Sequence, residues 1–454
     1  MKAKAPRIII SAVSSNSGKT TTTVAVLKAF KMRGNKVSSF KAGPDYIDPM
    51  FHSRIMKVPS RNLDKFMIGE NNCRYILGKN TEGVDISIIE GAMGYYDGIG
   101  TNTSCSTYEL ASVLNCPVVL VINPSGMAVS VGAIVHGFKT FRDNSNIKGV
   151  ILNNVSDAMY VYYKNIIELN TDVKVYGYMP NLPSCKLESR HLGLVTAEEI
   201  GDLKFIIEQL GSQALKTIDL EGLYELAAST DSIEYDEPNI SYIGKTKIAV
   251  AYDKAFCFYY EDNWDILEEM GADIVLFSPL KDKELPKDIG GLYIGGGYPE
   301  LYIKELSENK SMLDDIKEKV IKGLPTFAEC GGYMYLMDSF TNKEGKKYSL
   351  VGAIEGNSYM TDSLKRFGYI TLTSQNNNMM CKAGESINGH EFHYSDSNRT
   401  GEAFLAVKPE SNRSWNAIIA DETKFMGYPH INFRGNINFA QNFVKKAIEY
   451  DSEI

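Results

Sequence analysis

The sequence has few features of membrane, secreted or nucleic-acid-binding proteins. Its seven cysteines are scattered through 454 residues without a CxxC pair, which predicts reduced thiols in a cytoplasmic protein rather than a disulfide or zinc framework. No hydrophobic run approaches the length of a membrane span. The net charge of -8 and the lack of a basic stripe argue against a nucleic-acid partner. An anionic substrate is still compatible with this composition, because local sites can be basic on an acidic protein.

The chain is too long for one ordinary core. With 454 residues, 44% hydrophobic and 23% charged, it has the composition of a globular protein with two or three domains. Residues 229–239 are polar, acidic and interrupted by proline, which is typical of a linker. We therefore predict a domain over residues 1–228, a linker over 229–244 and a second domain over 245–454.

The pattern of apolar runs predicts two α/β domains. In the first domain, apolar runs alternate with amphipathic stretches at 7–13, 37–41, 84–90, 117–122, 149–153 and 173–179. We predict that five of these runs are buried parallel strands in a doubly wound sheet. After the linker, strands are predicted again at 247–252, 273–278, 291–294 and 326–328.

A phosphate loop is predicted at Ser17-Gly18-Lys19-Thr20, between an apolar strand and a helix. Backbone N–H groups at the start of the helix would hold phosphate oxygens, Lys19 would neutralise them, and the Thr20 hydroxyl would bind Mg²⁺. Val13 stands where the full pattern has glycine, so the loop is a variant. A serine-rich turn without a ligand is the less favoured alternative.

Acidic residues follow two further predicted strands, at the edge where an α/β sheet binds its ligands. They are Asp45 and Asp48 after one strand, and Glu90 and Asp97 after another. Their carboxylates can bind Mg²⁺ or orient a substrate, although any one of them alone is more often a turn or cap residue. Asn153 ends another strand, and its position is equally compatible with adenine binding and with a turn.

A cysteine nucleophile is predicted at Cys330, where an apolar strand meets small residues that open a helix. This is the outline of a nucleophile elbow. The candidate base is His430, and the backbone N–H groups of Gly296, Gly297 and Gly331 are candidate oxyanion donors. The alternatives are a buried structural thiol and an ordinary loop histidine. An amide-cleaving thiol and an ATP site in one chain predict two coupled reactions.

His390 and His393 belong to a third cluster, in the sequence HEFH. The spacing differs from HExxH, and the alternation favours a strand. No third metal ligand is evident, so zinc is disfavoured. We predict that these polar residues line the second active site.

Together these motifs resemble the cobyrinate a,c-diamide synthase family, the glutamine-dependent, ATP-using amidases of corrinoid synthesis. The likeness extends over the whole chain and rests on an ordered set of motifs at 17–20, 41–49, 90–98, 189–195, 295–300, 329–332 and 389–395. It implies a P-loop, parallel-sheet synthetase domain akin to dethiobiotin synthetase. A class I glutamine amidotransferase α/β domain would follow it.

The resemblance also implies roles for the candidate residues. ATP would activate the a and c carboxylates of cobyrinate as acyl phosphates, and glutamine hydrolysis would supply channelled ammonia. Cys330 would attack glutamine with help from His430. The remaining roles are ATP binding by Ser17, Gly18, Lys19, Thr20 and Asn153, Mg²⁺ binding by Thr20, Asp48 and Glu90, and substrate binding by Lys41, Asp45, Tyr46 and Asp97. Tyr46, Tyr95, Tyr96 and residues 189–195 are candidates for contact with the macrocycle.

The chain departs from most class I amidotransferases at position 432. Those enzymes have glutamate two residues after the histidine, and this chain has Asn432. The difference predicts a Cys–His dyad with a slower glutaminase, and the rate of an Asn432→Glu variant would test it. Ala328 stands where many such enzymes have glycine.

Several functional alternatives stay open at this point. Ni-sirohydrochlorin a,c-diamide synthase has the same motifs and reaction, whereas cobyric acid synthase is disfavoured by the 43–49 segment. Alternatives of another class are a P-loop ATPase switch and a non-catalytic glutamine-binding regulator, which Cys330 and His430 disfavour. The sequence leaves the tetrapyrrole, the order of amidation and the formation of a homodimer undetermined.

Overall fold

The computed structural model describes residues 1–54, 56–185, 189–190, 193–194 and 203–453. They form two compact units. The first comprises Met1–Lys65 and Gly69–Pro238, and the second comprises Phe66–Ile68 and Asn239–Ile454. Within the described residues, no helix is both long enough and apolar enough to cross a membrane.

The first unit contains a seven-stranded sheet in which every neighbouring pair is parallel. From edge to edge the strands are Ser60–Leu63, Val37–Ala42, Ile86–Glu90, Arg7–Ala12, Val118–Ile122, Ile147–Asn153 and Lys174–Met179. All six predicted apolar runs are therefore strands of one parallel sheet, where five were expected. The additional strand Ser60–Leu63 escaped prediction because its sequence SRNL has a single apolar residue.

Helices connect the strands of the first unit. They are Lys19–Met32, Ile47–Arg54, Lys65–Lys79, Thr107–Val113, Ser130–Thr140, Asp157–Asn170, Leu203–Thr217 and Leu220–Ala228. The Arg7–Ala12 and Val118–Ile122 strands are buried along their whole length, as expected for the middle of a parallel sheet covered on both faces. Short elements are the 3₁₀ turn Pro183–Cys185 and the antiparallel pairs Lys2–Ala3 with Ile233–Glu234 and Ser189–Arg190 with Gly193–Leu194.

Part of the predicted linker packs within the first unit. The buried guanidinium of Arg7 donates hydrogen bonds to the Thr230 hydroxyl over 3.2 Å and to the Asp231 carbonyl over 3.0 Å. The Ile233–Glu234 strand then pairs with the start of the chain. These contacts fix residues 230–234 to the first unit, and the main segment of the second unit begins at Asn239.

The second unit contains a six-stranded sheet with one strand that leads directly to Cys330. In spatial order its strands are Ala272–Phe277, Thr246–Ala251, Gly291–Ile294, Thr326–Glu329, Lys424–Gly427 and Ile419–Ala420. The first five are parallel and the last is antiparallel. Its helices are Glu261–Glu269, Ile303–Glu308, Lys310–Ile321, Gly331–Leu336 and Ile437–Glu453, with 3₁₀ turns at Pro299–Tyr302 and Phe433–Gly435.

The second unit contains further sheets. The predicted strand at the HEFH segment is confirmed as part of Ser386–His393, but the sheets themselves were not predicted. One has the strand order Ser414–Ala417, Phe404–Val407, Arg366–Ser374, Ser386–His393 and His430–Ile431, all antiparallel. Another has the order Lys347–Ser349, Met337–Thr341, Ile354–Met360 and Ser395–Ser397. The pair Phe256–Phe258 and Gly296–Gly297 is also antiparallel. The first of these sheets places His430 beside His390.

Candidate active site

The phosphate loop connects the Arg7–Ala12 strand to the Lys19–Met32 helix. Gly18 adopts a left-handed conformation with φ 90° immediately before the helix. The side-chain amide of Asn153 donates a hydrogen bond to the Ser17 carbonyl oxygen over 3.0 Å. Asn153 therefore supports the loop from the end of another strand, and part of its hydrogen-bonding capacity is used by the protein itself.

Alanine at Gly18 is expected to weaken ATP binding. The added methyl group would lie 2.0 Å from Asn153 Nδ2, so the loop must shift, and KM for ATP should rise at least about 10-fold. Gly34→Ala is the matched control, because Gly34 has φ +87° and no described atom within 4 Å of the added carbon. ADP release at varied ATP concentration measures both variants. Equal effects would contradict a specific role for the contact between Gly18 and Asn153.

Lys41 is the centre of a buried charged cluster at the carboxyl ends of two neighbouring strands. Its ammonium group forms a short ion pair with Asp48, and it lies 3.2 Å from Glu90 Oε1 and 3.8 Å from Asp45 Oδ2. Burial alone would lower the pKa of Lys41, but these carboxylates raise it above its usual value. Burial likewise opposes the charge on Asp48, yet Lys41 holds the pKa of that carboxyl at about 2. Both groups of this ion pair are therefore charged at neutral pH.

The carboxyl groups of the cluster outnumber its lysine ammonium groups. Burial, reinforced by Asp48, raises the pKa values of Asp45 and Glu90 to about 7. Glu90 Oε1 accepts a hydrogen bond from the Thr20 hydroxyl over 2.5 Å. Glu90 Oε2 is buried and has no hydrogen-bond partner among the described residues. A buried carboxylate oxygen without a donor is suited to a cation.

Thr20 and Glu90 fit a magnesium ion better than Asp48 does. Mg²⁺ is usually held by one or two carboxylates, with phosphates and water as its other ligands. Over the part of the chain that the structure describes, no three His, Cys, Asp or Glu side chains are arranged to hold a metal ion alone. Phosphate would therefore complete the coordination. The predicted direct role of Asp48 would require its ion pair with Lys41 to open.

Lys19 contacts the turn that follows the Ile86–Glu90 strand. Its Nζ atom donates a hydrogen bond to the Met93 carbonyl over 2.6 Å, and burial together with Lys41 lowers the pKa of Lys19 to about 8. Asp97 accepts a hydrogen bond from the Gly94 N–H over 2.8 Å. This bond shapes the turn that presents the Met93 carbonyl, and the Asp97 side chain remains exposed to solvent.

His52 is part of this cluster and was not predicted from the sequence. Its Nδ1 atom lies 2.8 Å from Ser39 Oγ, and its Nε2 atom lies 3.8 Å from Glu90 Oε2. Burial lowers the pKa of His52 to about 4, so the ring is neutral at pH 7. The sequence feature that could have revealed His52 is its position four residues after Asp48. This spacing places both side chains on one face of the Ile47–Arg54 helix.

The aromatic candidates for macrocycle contact are mostly interior residues. Tyr95 is fully buried and its hydroxyl donates to the Ser145 carbonyl. The Tyr96 hydroxyl donates to the Phe138 carbonyl over 2.5 Å. Tyr46 is also buried, at 7% exposure. Tyr95 thus presents no surface to a macrocycle, and the candidate segment 189–195 lies outside the described residues except for the backbone of its two short strands.

Cys330 lies at a sharp turn between the Thr326–Glu329 strand and the Gly331–Leu336 helix. Its backbone has φ 47° and ψ -104°, a conformation that is unfavourable for a residue with a side chain. The Cys330 N–H donates to the Gly427 carbonyl over 2.7 Å, which ties the turn to the neighbouring parallel strand. This strained turn places Cys330, a partly exposed residue, at the carboxyl end of the sheet.

The glycine turn at 295–297 brings the other predicted residues to Cys330. A methyl group at Gly296 would lie 2.6 Å from His430 Cε1, so only hydrogen fits beside the imidazole. A methyl group at Gly331 would lie 3.4 Å from the Gly297 nitrogen. The turn therefore packs against both the cysteine segment and the histidine, and the structure brings together the residues predicted for the thiol, the base and the oxyanion donors.

Two further histidines surround His430. The His390 ring stacks on it with centroids 5.1 Å apart, and the Tyr260 hydroxyl lies 2.8 Å from His390 Nε2. His393 instead stacks on Tyr428 and bonds through Nδ1 to the Ser395 carbonyl over 2.7 Å. His390 and His430 are paired residues of adjacent antiparallel strands.

The thiol and the imidazole are both neutral in this environment. Burial and Glu300 raise the pKa of Cys330 above its usual value. Burial, His390 and His393 lower the pKa of His430 well below its usual value. A neutral imidazole can accept a proton, so His430 keeps the capacity that the predicted base requires.

Asn432 is occupied by a structural role. It is 3% exposed, and its Oδ1 atom accepts a hydrogen bond from the Arg434 N–H over 3.0 Å at the start of a 3₁₀ turn. Glutamate at this position would lose that bond and add a buried charge. The predicted comparison of Asn432→Glu with the wild type therefore needs a measurement of stability beside the glutaminase rate.

Glu329 is expected to make the stability of the second unit depend on pH. Burial raises its pKa from 4.5 to about 8. The stability that this raised pKa contributes is fully present below about pH 4.5. It is lost as the pH rises towards 8, because the unfolded chain ionises before the folded protein does. Glu329→Gln cannot ionise, so its unfolding free energy relative to wild type should increase by about 3 kcal/mol between pH 5 and pH 8.

Tryptophan fluorescence during urea unfolding measures this difference, because Trp264 and Trp415 are the two tryptophans of the chain and both lie in the second unit. A difference between the variant and the wild type that stays constant with pH would show that Glu329 is already ionised in the folded protein across this range.

Two models of protein families match the chain. A CobQ/CobB/MinD/ParA nucleotide binding domain matches residues 8–195, and a CobB/CobQ-like glutamine amidotransferase domain matches residues 247–436. The first match includes the phosphate loop and the charged cluster around Lys41. The second includes Cys330 and His430. The predicted fold class, a P-loop domain followed by an amidotransferase domain, is thereby confirmed.

Curated proteins named cobyrinate a,c-diamide synthase are similar to nearly the whole chain. The protein of Clostridium tetani is 45% identical, and the alignment covers 97% of this chain and 99% of that protein. The protein of Caldanaerobacter subterraneus is 41% identical over 93% of this chain and 94% of its own length. The protein of Thermoplasma volcanium is 41% identical over 99% of both chains. The similarity therefore includes both matched domains.

Proposed function

This chain belongs to the cobyrinate a,c-diamide synthase family, glutamine-dependent carbon–nitrogen ligases, and we propose that it amidates the a and c carboxylates of cobyrinate at the expense of ATP. The observation that carries the proposal is the presence of two complementary sites in one chain. One is the phosphate loop with the buried charges around Lys41. The other is the strained Cys330 turn packed with His430 against one glycine turn.

In the glutamine half-reaction, Cys330 and His430 cleave the side-chain amide. His430 takes the thiol proton as Sγ attacks the amide carbon, and backbone N–H groups of Gly297 and Gly331 stabilise the charge on the amide oxygen. His430 then gives that proton to the departing nitrogen, which leaves as ammonia and a thioester remains. Water hydrolyses the thioester to glutamate, and its other proton restores the thiol.

In the synthetase half-reaction, a carboxylate oxygen of the tetrapyrrole attacks the γ-phosphorus of ATP, and ADP leaves. Ammonia attacks the carbonyl carbon of the resulting acyl phosphate, phosphate departs, and loss of one proton gives the amide. Lys19 and the N–H groups at the start of the Lys19–Met32 helix hold the phosphates. Lys41 supplies a permanent positive charge beside them, since Asp48 and Glu90 keep it protonated.

Mg²⁺ is the cation that we assign to Thr20 and Glu90. When bound, it neutralises charge on the phosphates of ATP. The Thr20 hydroxyl and the unpartnered Glu90 oxygen supply protein ligands of the type that this ion prefers. His52 Nε2 lies 3.8 Å from that oxygen, beyond hydrogen-bond distance.

The test is product mass after incubation with ATP, Mg²⁺, glutamine and either cobyrinic acid or Ni-sirohydrochlorin. Two successive acid-to-amide mass changes on the corrinoid are expected, with none when ATP is omitted. Turnover of the nickel compound alone would keep the mechanism and assign the other tetrapyrrole. Turnover of neither compound would refute the proposed substrate class.

A further inference from the structure

The carboxyl group of Glu329 connects the segment that carries the thiol to the segment that carries the base. Its Oε1 atom accepts a hydrogen bond from the Ile431 N–H over 2.8 Å, and its Oε2 atom accepts one from the Tyr293 hydroxyl over 2.9 Å. Glu329 is 1% exposed. It directly precedes Cys330, and Ile431 directly follows His430, so one side chain spans from the nucleophile strand to the base strand.

A second side chain holds the opposite side of Ile431. Asn263 donates from Nδ2 to the Ile431 carbonyl over 3.0 Å, and its Oδ1 atom accepts from the Phe433 N–H over 2.8 Å. The strand His430–Ile431 is only two residues long. Its own ladder is too short to fix its position, and both backbone polar groups of Ile431 depend on buried side chains.

We propose that Glu329 is a positioning residue for the glutaminase, which holds His430 in register with Cys330 through the Ile431 N–H. The inference rests on the proposed roles of Cys330 and His430 and adds a residue that touches neither substrate nor reacting atoms. Asn432 cannot serve in its place, because its side-chain oxygen accepts from the Arg434 N–H. Without the Glu329 carboxyl, the Ile431 N–H is buried without an acceptor, and the segment can relieve this only by moving.

Glutamine is the conservative replacement at this position. Burial raises the pKa of Glu329 to about 8, so the group is mostly an uncharged carboxylic acid at pH 7. The amide oxygen of Glu329→Gln can accept from Ile431, and its NH₂ group can donate to Tyr293. Glu329→Asp keeps an acid, but its shorter side chain draws the oxygens away from the Ile431 nitrogen. Glu329→Gln therefore tests whether an ionisable acid is needed, and Glu329→Asp tests whether the length of the side chain is needed.

The experiment compares Glu329→Ala, Glu329→Asp, Glu329→Gln and Tyr293→Phe in the full chain. Glu329→Ala and Glu329→Asp should each lower kcat for glutamine hydrolysis about 100-fold, because the base is displaced. KM for glutamine should stay within about threefold of wild type, because the substrate pocket is kept. Alkylation of Cys330 by iodoacetamide should slow in parallel. Glu329→Gln and Tyr293→Phe should both have the kcat of the wild type, since the hydrogen bond to the Ile431 N–H remains in each.

Amidation with ammonium chloride and the melting temperature report whether each variant is folded. If alanine prevents folding, the aspartate and glutamine variants carry the comparison. Normal glutaminase kcat in both Glu329→Ala and Glu329→Asp would overturn the positioning role, as would equal loss in Glu329→Gln. Absence of glutaminase activity in the wild type would instead refute the proposed function of Cys330 and His430.

Discussion

Replacing Cys330 with alanine is expected to abolish amidation from glutamine while amidation from ammonium chloride continues. The glutamine-dependent rate should fall at least about 1,000-fold, because the thioester forms on the Cys330 sulfur. The ammonia-dependent rate should stay within about twofold of wild type, since the phosphate loop and the charges around Lys41 are unchanged. Glutamate release and product mass, measured with each nitrogen source, separate the two half-reactions.

The matched control is a different cysteine of the same unit, the buried Cys381, in the variant Cys381→Ala. The Cys381 sulfur contacts Asn378, and Cys381 is distant in sequence from the Cys330 turn. Amidation from glutamine and from ammonium chloride should therefore both be retained. A Cys330 variant that still used glutamine would assign the nucleophile elsewhere. Loss of both activities in Cys330→Ala with a normal melting temperature would mean that the thiol serves the synthetase reaction as well.

The features that the sequence predicts best are those determined by residues close together along the chain. The phosphate loop needs only a strand, a glycine with positive φ and a helix start, and residues 8–20 supply all three in order. The turn at Cys330 is predicted in the same way, from an apolar strand followed by small residues. Six of the seven strands of the first sheet are predicted as apolar runs. The apolar pattern is clearest in the interior strands Arg7–Ala12 and Val118–Ile122, which are buried along their whole length.

Features that depend on distant parts of the chain were not predicted. Ser60–Leu63 is a strand because Val37–Ala42 offers it a partner, although its own residues are mostly polar. The link from Glu329 to Ile431 joins residues 102 positions apart, and that from Asn263 to Ile431 joins residues 168 positions apart. No local pattern specifies such pairs, because tertiary packing alone brings their backbone groups within hydrogen-bonding distance.

Replacing Lys41 with methionine is expected to impair amidation from glutamine and from ammonium chloride, and to destabilise the first unit. The side chain is 6% exposed, and its loss would leave Asp48 buried without its cation. Breaking a buried ion pair from one side costs about 3–5 kcal/mol. Amidation should fall at least about 100-fold with either nitrogen source, because the phosphates lose a fixed positive charge. Lys36→Met, at an exposed lysine just before the same strand, is the control and should change stability by less than about 0.5 kcal/mol.

The double variant Lys41→Met with Asp48→Asn separates stability from catalysis. Removing the carboxylate relieves the buried charge that the single variant creates, so most of the lost stability should return. Activity should not return, since no cation replaces Lys41 at the phosphates. Hydrogen exchange in peptides covering Val37–Ala42 measures the stability, because both tryptophans lie in the other unit. Recovery of amidation together with stability would show that Lys41 acts only as a counter-ion of Asp48, and the positive charge at the phosphates would then rest on Lys19 alone.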